Sequence, residues 1–241
     1  MGAVVSTALL SARVQAFRTE LANGADLETA YIEAIERRWT APQPDADDAI
    51  SVEEATRTVS GAAGAITGLQ ERFRTAAASG RHVWISSGRN PQASLFAPPS
   101  GDTWAQKPAH GGMFLVPDAY ATPLWEHYAR MTFPTRGPDR VAWDVHVRVD
   151  DSVVMIDTLS TWADFVVANG KHAGDVVEVD WAAAAKRFSA VVILPLVPFL
   201  ADGVFIRHAG RVLAPSSWSV PTTVLTQWEL TSFRRRELPA T

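Results

Sequence analysis

Three short segments hold most of the residues whose types and spacing could do chemistry. The first is Arg81-His82-Val83-Trp84-Ile85-Ser86-Ser87-Gly88, with an imidazole and a guanidinium at one end and two hydroxyls at the other. The second is Lys107-Pro108-Ala109-His110-Gly111-Gly112-Met113-Phe114, followed by Trp125 and Tyr128. Its glycine pair allows a backbone to approach another group closely, and its aromatics can stack on a planar ring. The third is Trp218-Ser219-Val220-Pro221-Thr222-Thr223-Val224-Leu225, beyond which Glu229 is the nearest carboxylate. Between the second and third lie Asp180-Trp181 and Phe188-Ser189-Ala190-Val191-Val192-Ile193.

Other chemistries are poorly supported. The chain has no cysteine, which excludes thiolate metal sites, disulfides and cysteine nucleophiles. Its six histidines show no pair at helical ligand spacing, so no metal site is expected. Gly61 to Gly68 lacks the Lys-Ser/Thr of a phosphate-binding loop, and no Gly-x-Ser-x-Gly elbow occurs. The formal charge of −4 argues against nucleic acid as a partner.

The elements that must position these residues can be read from periodicity. Leu10, Val14, Phe17 and Leu21 repeat as in a helix that stops at Asn23-Gly24, and Asp26 caps a second helix with Leu27, Tyr31 and Ile35 on one face. A Pro- and Asp-rich loop over 41–48 follows. Ser51 and Glu54 form a capping-box pattern for a helix reaching Ala78, which Gly61, Gly64 and Gly68 would weaken or open to a close neighbour. From Arg81 the pattern shortens. Strands are predicted over 81–86, 113–116, 143–149, 153–156, 190–194, 204–208 and 222–228, and helices over 122–131, 158–168 and 180–187, with a long loop over 90–112. Trp143, Val145, Val147 and Val149 should face inward and Asp144, His146 and Arg148 outward. The division is therefore a helical N-terminal region, 1–80, and an α+β domain, 81–241, with a split mixed or antiparallel β core and peripheral helices. Nine tryptophans predict a large core.

No stretch reaches the ~18–20 apolar residues of a membrane span; the longest, Ala190 to Leu200, is interrupted by Pro195 and Pro198. The first basic residue, Arg13, follows an apolar run, so a secretory signal is not expected, although Met1-Gly2 and Ser6 fit a loose myristoylation pattern. The expected location is the host cytoplasm or a virion.

The order of the three segments, with Asp180-Trp181 between, resembles a group of small phage and actinobacterial proteins related to the ADP-ribosyltransferase fold. There, a Lys-Pro-x-Gly-Gly segment precedes a Trp-bearing helix, and a Trp-Asp-x-Glu-Ser-Thr-like strand comes last. The resemblance covers roughly residues 80 to 230. It implies NAD as substrate, split at the nicotinamide bond through an oxocarbenium-like state. It further implies His82 or Arg81 on the ribose, Ser86 or Ser87 at the strand end near the cleft, and Gly111 and Gly112 against the ligand. Phe114 or Tyr128 would stack on nicotinamide, and Glu229 would stand in for the acid. The chain departs from the pattern in having Ser219 and Pro221 where Asp and Glu are usual, and Ser189-Ala190 where Asp-Gly is common. A fold that survives without its catalysis is therefore one expectation. The expected cleft gathers His82, Ser86, Gly112 and Tyr128 beside the strand over 222–228. The competing expectation is a structural or interaction protein, such as a virion component, that meets a partner or its own copies through the N-terminal helices.

Overall fold

The computed structural model describes residues 4–86, 89–104, 106–119 and 141–236. Helix α1 (Val4–Ala22) buries Leu9, Leu10 and Phe17 and ends before Gly24, whose φ of 88° suits a residue without Cβ. Asp26 caps α2 (Leu27–Glu36) by accepting the Thr29 N–H at 2.8 Å. After β1 (Ile50–Ser51), the helix expected to run to Ala78 is two helices, α3 (Val52–Thr58) and α4 (Ser60–Ala78), broken at Val59. Ser51 accepts the Glu54 N–H as predicted, but the Glu54 carboxylate accepts from Thr7 of α1 instead of closing the box. Gly61, Gly64 and Gly68 all lie inside α4, and none is approached by a backbone from outside that helix.

From Arg81 the chain contributes β2 (Arg81–Ser86), β3 (Ser100–Trp104), β4 (Lys107–His110), β5 (Met113–Pro117), β6 (Val141–Val147) and β7 (Val153–Ile156). Helix α5 (Leu159–Ala168) follows, capped reciprocally by Thr158 and Thr161. Then come β8 (Gly170–Ala173), β9 (Val176–Val179), α6 (Trp181–Ala184), β10 (Ala190–Ile193) and α7 (Leu196–Ala201). The last strands are β11 (Ile206–His208), β12 (Arg211–Leu213), β13 (Thr222–Leu225) and β14 (Leu230–Arg235). The predicted helix over 122–131 lies outside the described residues. The 90–112 stretch is not all loop, because β3 and β4 pair there as a small hairpin.

The fold is mixed α+β, with a main sheet ordered β14-β6-β2-β5-β13-β10-β7. Its pairs are antiparallel except β10 with β7, which are parallel and joined by a crossover that contains α5. A second sheet is ordered β1-β11-β12-β9-β8. One buried cluster runs from Leu9 and Tyr31 through Ile66, Trp162 and Phe199 to Val224. The change of pattern at residue 80 is thus a change of secondary structure within a shared core. A smaller cluster on the other side of the main sheet joins Met113, Leu115, Val145, Val147, Ala190 and Leu225. Val145 and Val147 face inward as predicted, with Trp143 half-buried. Val149 is 38 % exposed because β6 ends two residues earlier. Outward, His146 and Arg148 are exposed, while Asp144 is half-buried under Arg234 and Arg236.

The N-terminal helices are tied to α7 by buried polar bonds. Arg13 is fully buried, donates to the Phe199 carbonyl at 3.0 Å and to the Asp202 carbonyl, and lies 3.8 Å from the Asp202 carboxylate. The Tyr31 hydroxyl donates to the Pro195 carbonyl at 2.9 Å. The apolar stretch from Ala190 to Leu200 is therefore a strand and a short helix turned at Pro195. Among the described residues no helix is long and apolar enough to cross a membrane.

Candidate functional site

Strand β2 organises two cavities, one at each end. At its start, His82 is buried, and both ring nitrogens are engaged. The carbonyl of Gly80 lies 3.0 Å from Nδ1 and the Thr223 hydroxyl 2.8 Å from Nε2. The pair fits one tautomer, with Nδ1–H donating to Gly80 and Nε2 accepting from Thr223. Burial holds this imidazole down at about 4, against a smaller opposing effect of the Gly80 bond, so it is neutral near pH 7. Arg81, whose Nε donates to Ser79 at 3.2 Å, and His82 border a polar cavity of 420 Å³ together with Asp118, Asp144 and His146. Arg236 closes its floor by donating to Asp118 at 2.8 Å and to Asp144.

At the far end of β2, Ser86 donates to the Arg89 carbonyl and is buried. Here a cavity of 310 Å³ is walled by Trp84, Ile85, Phe96, Met113 and Trp228, and Gly112 and Phe114 also border it. Phe96 and Trp228 meet edge-to-face at 6.0 Å. One loop supplies a polar rim of Arg89, Asn90 and Gln92. The size is at the lower end for a small-molecule site, and an apolar wall with a few convergent polar groups is what such sites have.

The residues singled out in sequence are thus divided. Gly112 and Phe114 border the aromatic cavity with Trp84 and Ile85 of β2, whereas Arg81 and His82, two to four residues earlier and ~7–13 Å along the strand, border the polar one. The expected single concavity around His82, Ser86 and Gly112 is therefore two cavities. Tyr128 and Ser87 lie outside the described residues. The glycine pair serves the chain itself. Gly111 has φ of 70° and a Cβ there would stand 2.2 Å from the Pro98 carbonyl oxygen, while the Gly112 N–H donates to Ala97 at 2.7 Å. This turn seats the 97–99 loop beside the cavity. Phe114 packs its ring 6.0 Å from Trp218. Glu229 follows Trp228, but its carboxylate pairs with Arg148 at 3.8 Å.

The predicted last strand stops at Leu225. The Thr226 and Gln227 N–H groups both donate to the Ser189 carbonyl, which turns the chain and lays Trp228 over the cavity. Three motif residues serve packing. Lys107 sits 5.1 Å from the Trp218 ring centroid, Asp180 caps Ala183 at 3.0 Å, and Trp181 donates to the Gln106 carbonyl at 3.0 Å. Trp84 and Trp228 carry the pocket and were not assigned a role in sequence. The available signal was two tryptophans, one inside the predicted strand 81–86 and one closing the predicted strand 222–228. Among the described residues no cluster of three or more His, Asp or Glu could hold a metal.

Compared with protein-family models, curated proteins and solved structures, the chain matches none.

Proposed function

We propose that this chain is an ADP-ribosyltransferase-like protein that binds NAD by its nicotinamide end and does not cleave it. The observation that carries the reading is the aromatic cavity at Trp84 and Trp228, which Gly112 and Phe114 also border and whose Arg89 rim Ser86 ties down. A flat ring can lie against the indoles, with Asn90 and Gln92 at the rim as partners for a carboxamide. Cleavage of the glycosidic bond needs a negative group to stabilise the cationic sugar. Glu229 is held by Arg148, and His82 is neutral and fully bonded at the other end of β2. Binding without turnover follows from that arrangement.

NAD titration followed by tryptophan fluorescence, with nicotinamide release assayed in parallel, tests it. Saturable quenching without release is expected. Trp84→Ala is expected to weaken NAD binding by roughly ten- to a hundredfold, the range of a lost aromatic stack. Equal affinity in wild type and Trp84→Ala would remove the reading. Release of nicotinamide abolished by Glu229→Gln would restore an active transferase in its place.

A second reading, a structural or interaction protein such as a phage virion component, is favoured by the exposed strand β14. The N-terminal helices support it less, because the apolar faces of α1 and α2 are already used in the chain's own core.

A further inference from the structure

β14 lies at one edge of the main sheet, and among the described residues β6 is its strand partner. Thr231 to Arg235 are exposed in succession. An edge of this kind presents backbone N–H and C=O groups to any strand laid beside it. Phe233 is 43 % exposed, yet its ring rests edge-on against Trp143 at 5.8 Å, so an apolar knob is held in place on the rim. Arg235 makes no ion pair among the described residues, and the Arg234 side chain is 83 % exposed while reaching Asp144 at 2.9 Å. Three consecutive arginines thus end this edge in a chain whose net charge is −4.

Edge charges commonly protect a sheet against pairing. The protection works against strands of like charge. Two copies of β14 placed antiparallel would set Arg234 and Arg235 of one against Thr231 and Leu230 of the other, so a second copy brings no carboxylate to either arginine. A strand bearing carboxylates meets the opposite condition. From Ser232, beyond the irregularity at Thr231, side chains alternate along β14, with Phe233 and Arg235 on one face and Ser232 and Arg234 on the other. On the second face the row continues inward, because Ser232 and Arg81 both register with His146. A long acidic side chain there has Arg81 as a second cation within the same polar cavity.

We infer that β14 receives an extended segment of a partner protein, acidic residues alternating with apolar ones, as an eighth strand of the main sheet. Its backbone bonds to the β14 rim, its carboxylates lie on the Ser232 face beside Arg234 and Arg81, and its apolar side chains cover Phe233 on the other face. The inference stands apart from NAD binding, which uses the other end of β2.

The test uses the full chain and a fluorescein-labelled peptide of alternating Glu and Val, roughly six residues long to match a typical strand. Anisotropy is expected to saturate at low ionic strength and to fall with added salt. Arg234→Glu is expected to weaken binding about tenfold, since a favourable cross-strand pair becomes a repulsive one, with thermal unfolding little changed because the pair it gives up is on the surface. The same variant is expected to bind the matching Lys/Val peptide better than wild type does. No saturable anisotropy change, or equal Glu/Val affinity in wild type and Arg234→Glu, would overturn the inference. So would a solution dimer that Arg234→Glu dissociates, because the strand's partner would then be a second copy.

Discussion

Arg13→Ala is expected to destabilise the chain by about 3–5 kcal/mol, the usual cost of removing one partner of a buried ion pair. The guanidinium is fully buried and serves two carbonyls and a carboxylate on the α7 side of the core. Alanine leaves the Asp202 carboxylate, also fully buried, without its cation and leaves both carbonyls short of a donor. Such a loss is a large part of the ~5–15 kcal/mol that holds a typical protein folded. The shift of the urea midpoint at pH 7 measures it. Arg13→Lys is expected to recover only part, because a lysine keeps the charge but not the fork that reaches two carbonyls. Tyr31 offers an independent readout. Burial holds its phenol well above the ordinary range, the Asp202 charge pushes the same way, and Arg13 opposes it. Removing Arg13 should therefore raise the Tyr31 titration further, visible by ultraviolet difference spectra. A destabilisation under ~1 kcal/mol would mean that water reaches Asp202 and that the helices are held by apolar contact alone.

Acid should weaken the fold well before its carboxylates titrate. His82 takes up a proton near 6.5 when unfolded and only at about 4 when buried between Gly80 and Thr223. As pH falls through that window the unfolded chain binds the proton first, so stability present above pH 6.5 is lost down to about 4. At ~1.4 kcal/mol per pH unit the loss is ~3 kcal/mol. Glu53 is held below the usual carboxylate range by a backbone hydrogen bond and by Ser51, and Asp150 by Ser152, so their contribution comes at lower pH. Denaturant curves at a series of pH values should show the slope in wild type and its flattening in His82→Gln. That variant should leave NAD quenching at Trp84 unchanged, since His82 borders the polar cavity and not the aromatic one. A wild-type curve without slope in this window would mean that His82 is accessible to water.

Local signals were read well where one element's own residues decide its form. The caps at Asp26 and Asp180, the whole of β2 and the inward pair Val145 and Val147 all follow from short-range pattern. What escaped depends on partners far away in sequence. β14 is a tail of polar and arginine residues until β6 gives it a register, and Gly170 reads as a helix stop although it also opens β8. β12 is three residues long and exists because β11 and β9 flank it. At the site, Gly112 and Phe114 were found because glycine pairs and aromatics announce themselves. His82 was placed in the cleft by the resemblance and by its residue type. Only the cross-sheet bond to Thr223 reveals its place, and a bond between residues 141 positions apart is invisible to periodicity.

The span from Arg13 to Asp202 also sets a timetable for biogenesis. The guanidinium sits on α1, and its acceptors lie 186 and 189 residues later. At ~5–20 residues per second a ribosome leaves this charge without its native partners for roughly ten to forty seconds. During that interval α1 and α2 can meet each other and α3 and α4, but the α7 side of the shared core is still missing. The chain must therefore be largely complete before it can fold, and the nascent N-terminal helices are the segment that a chaperone has most reason to cover.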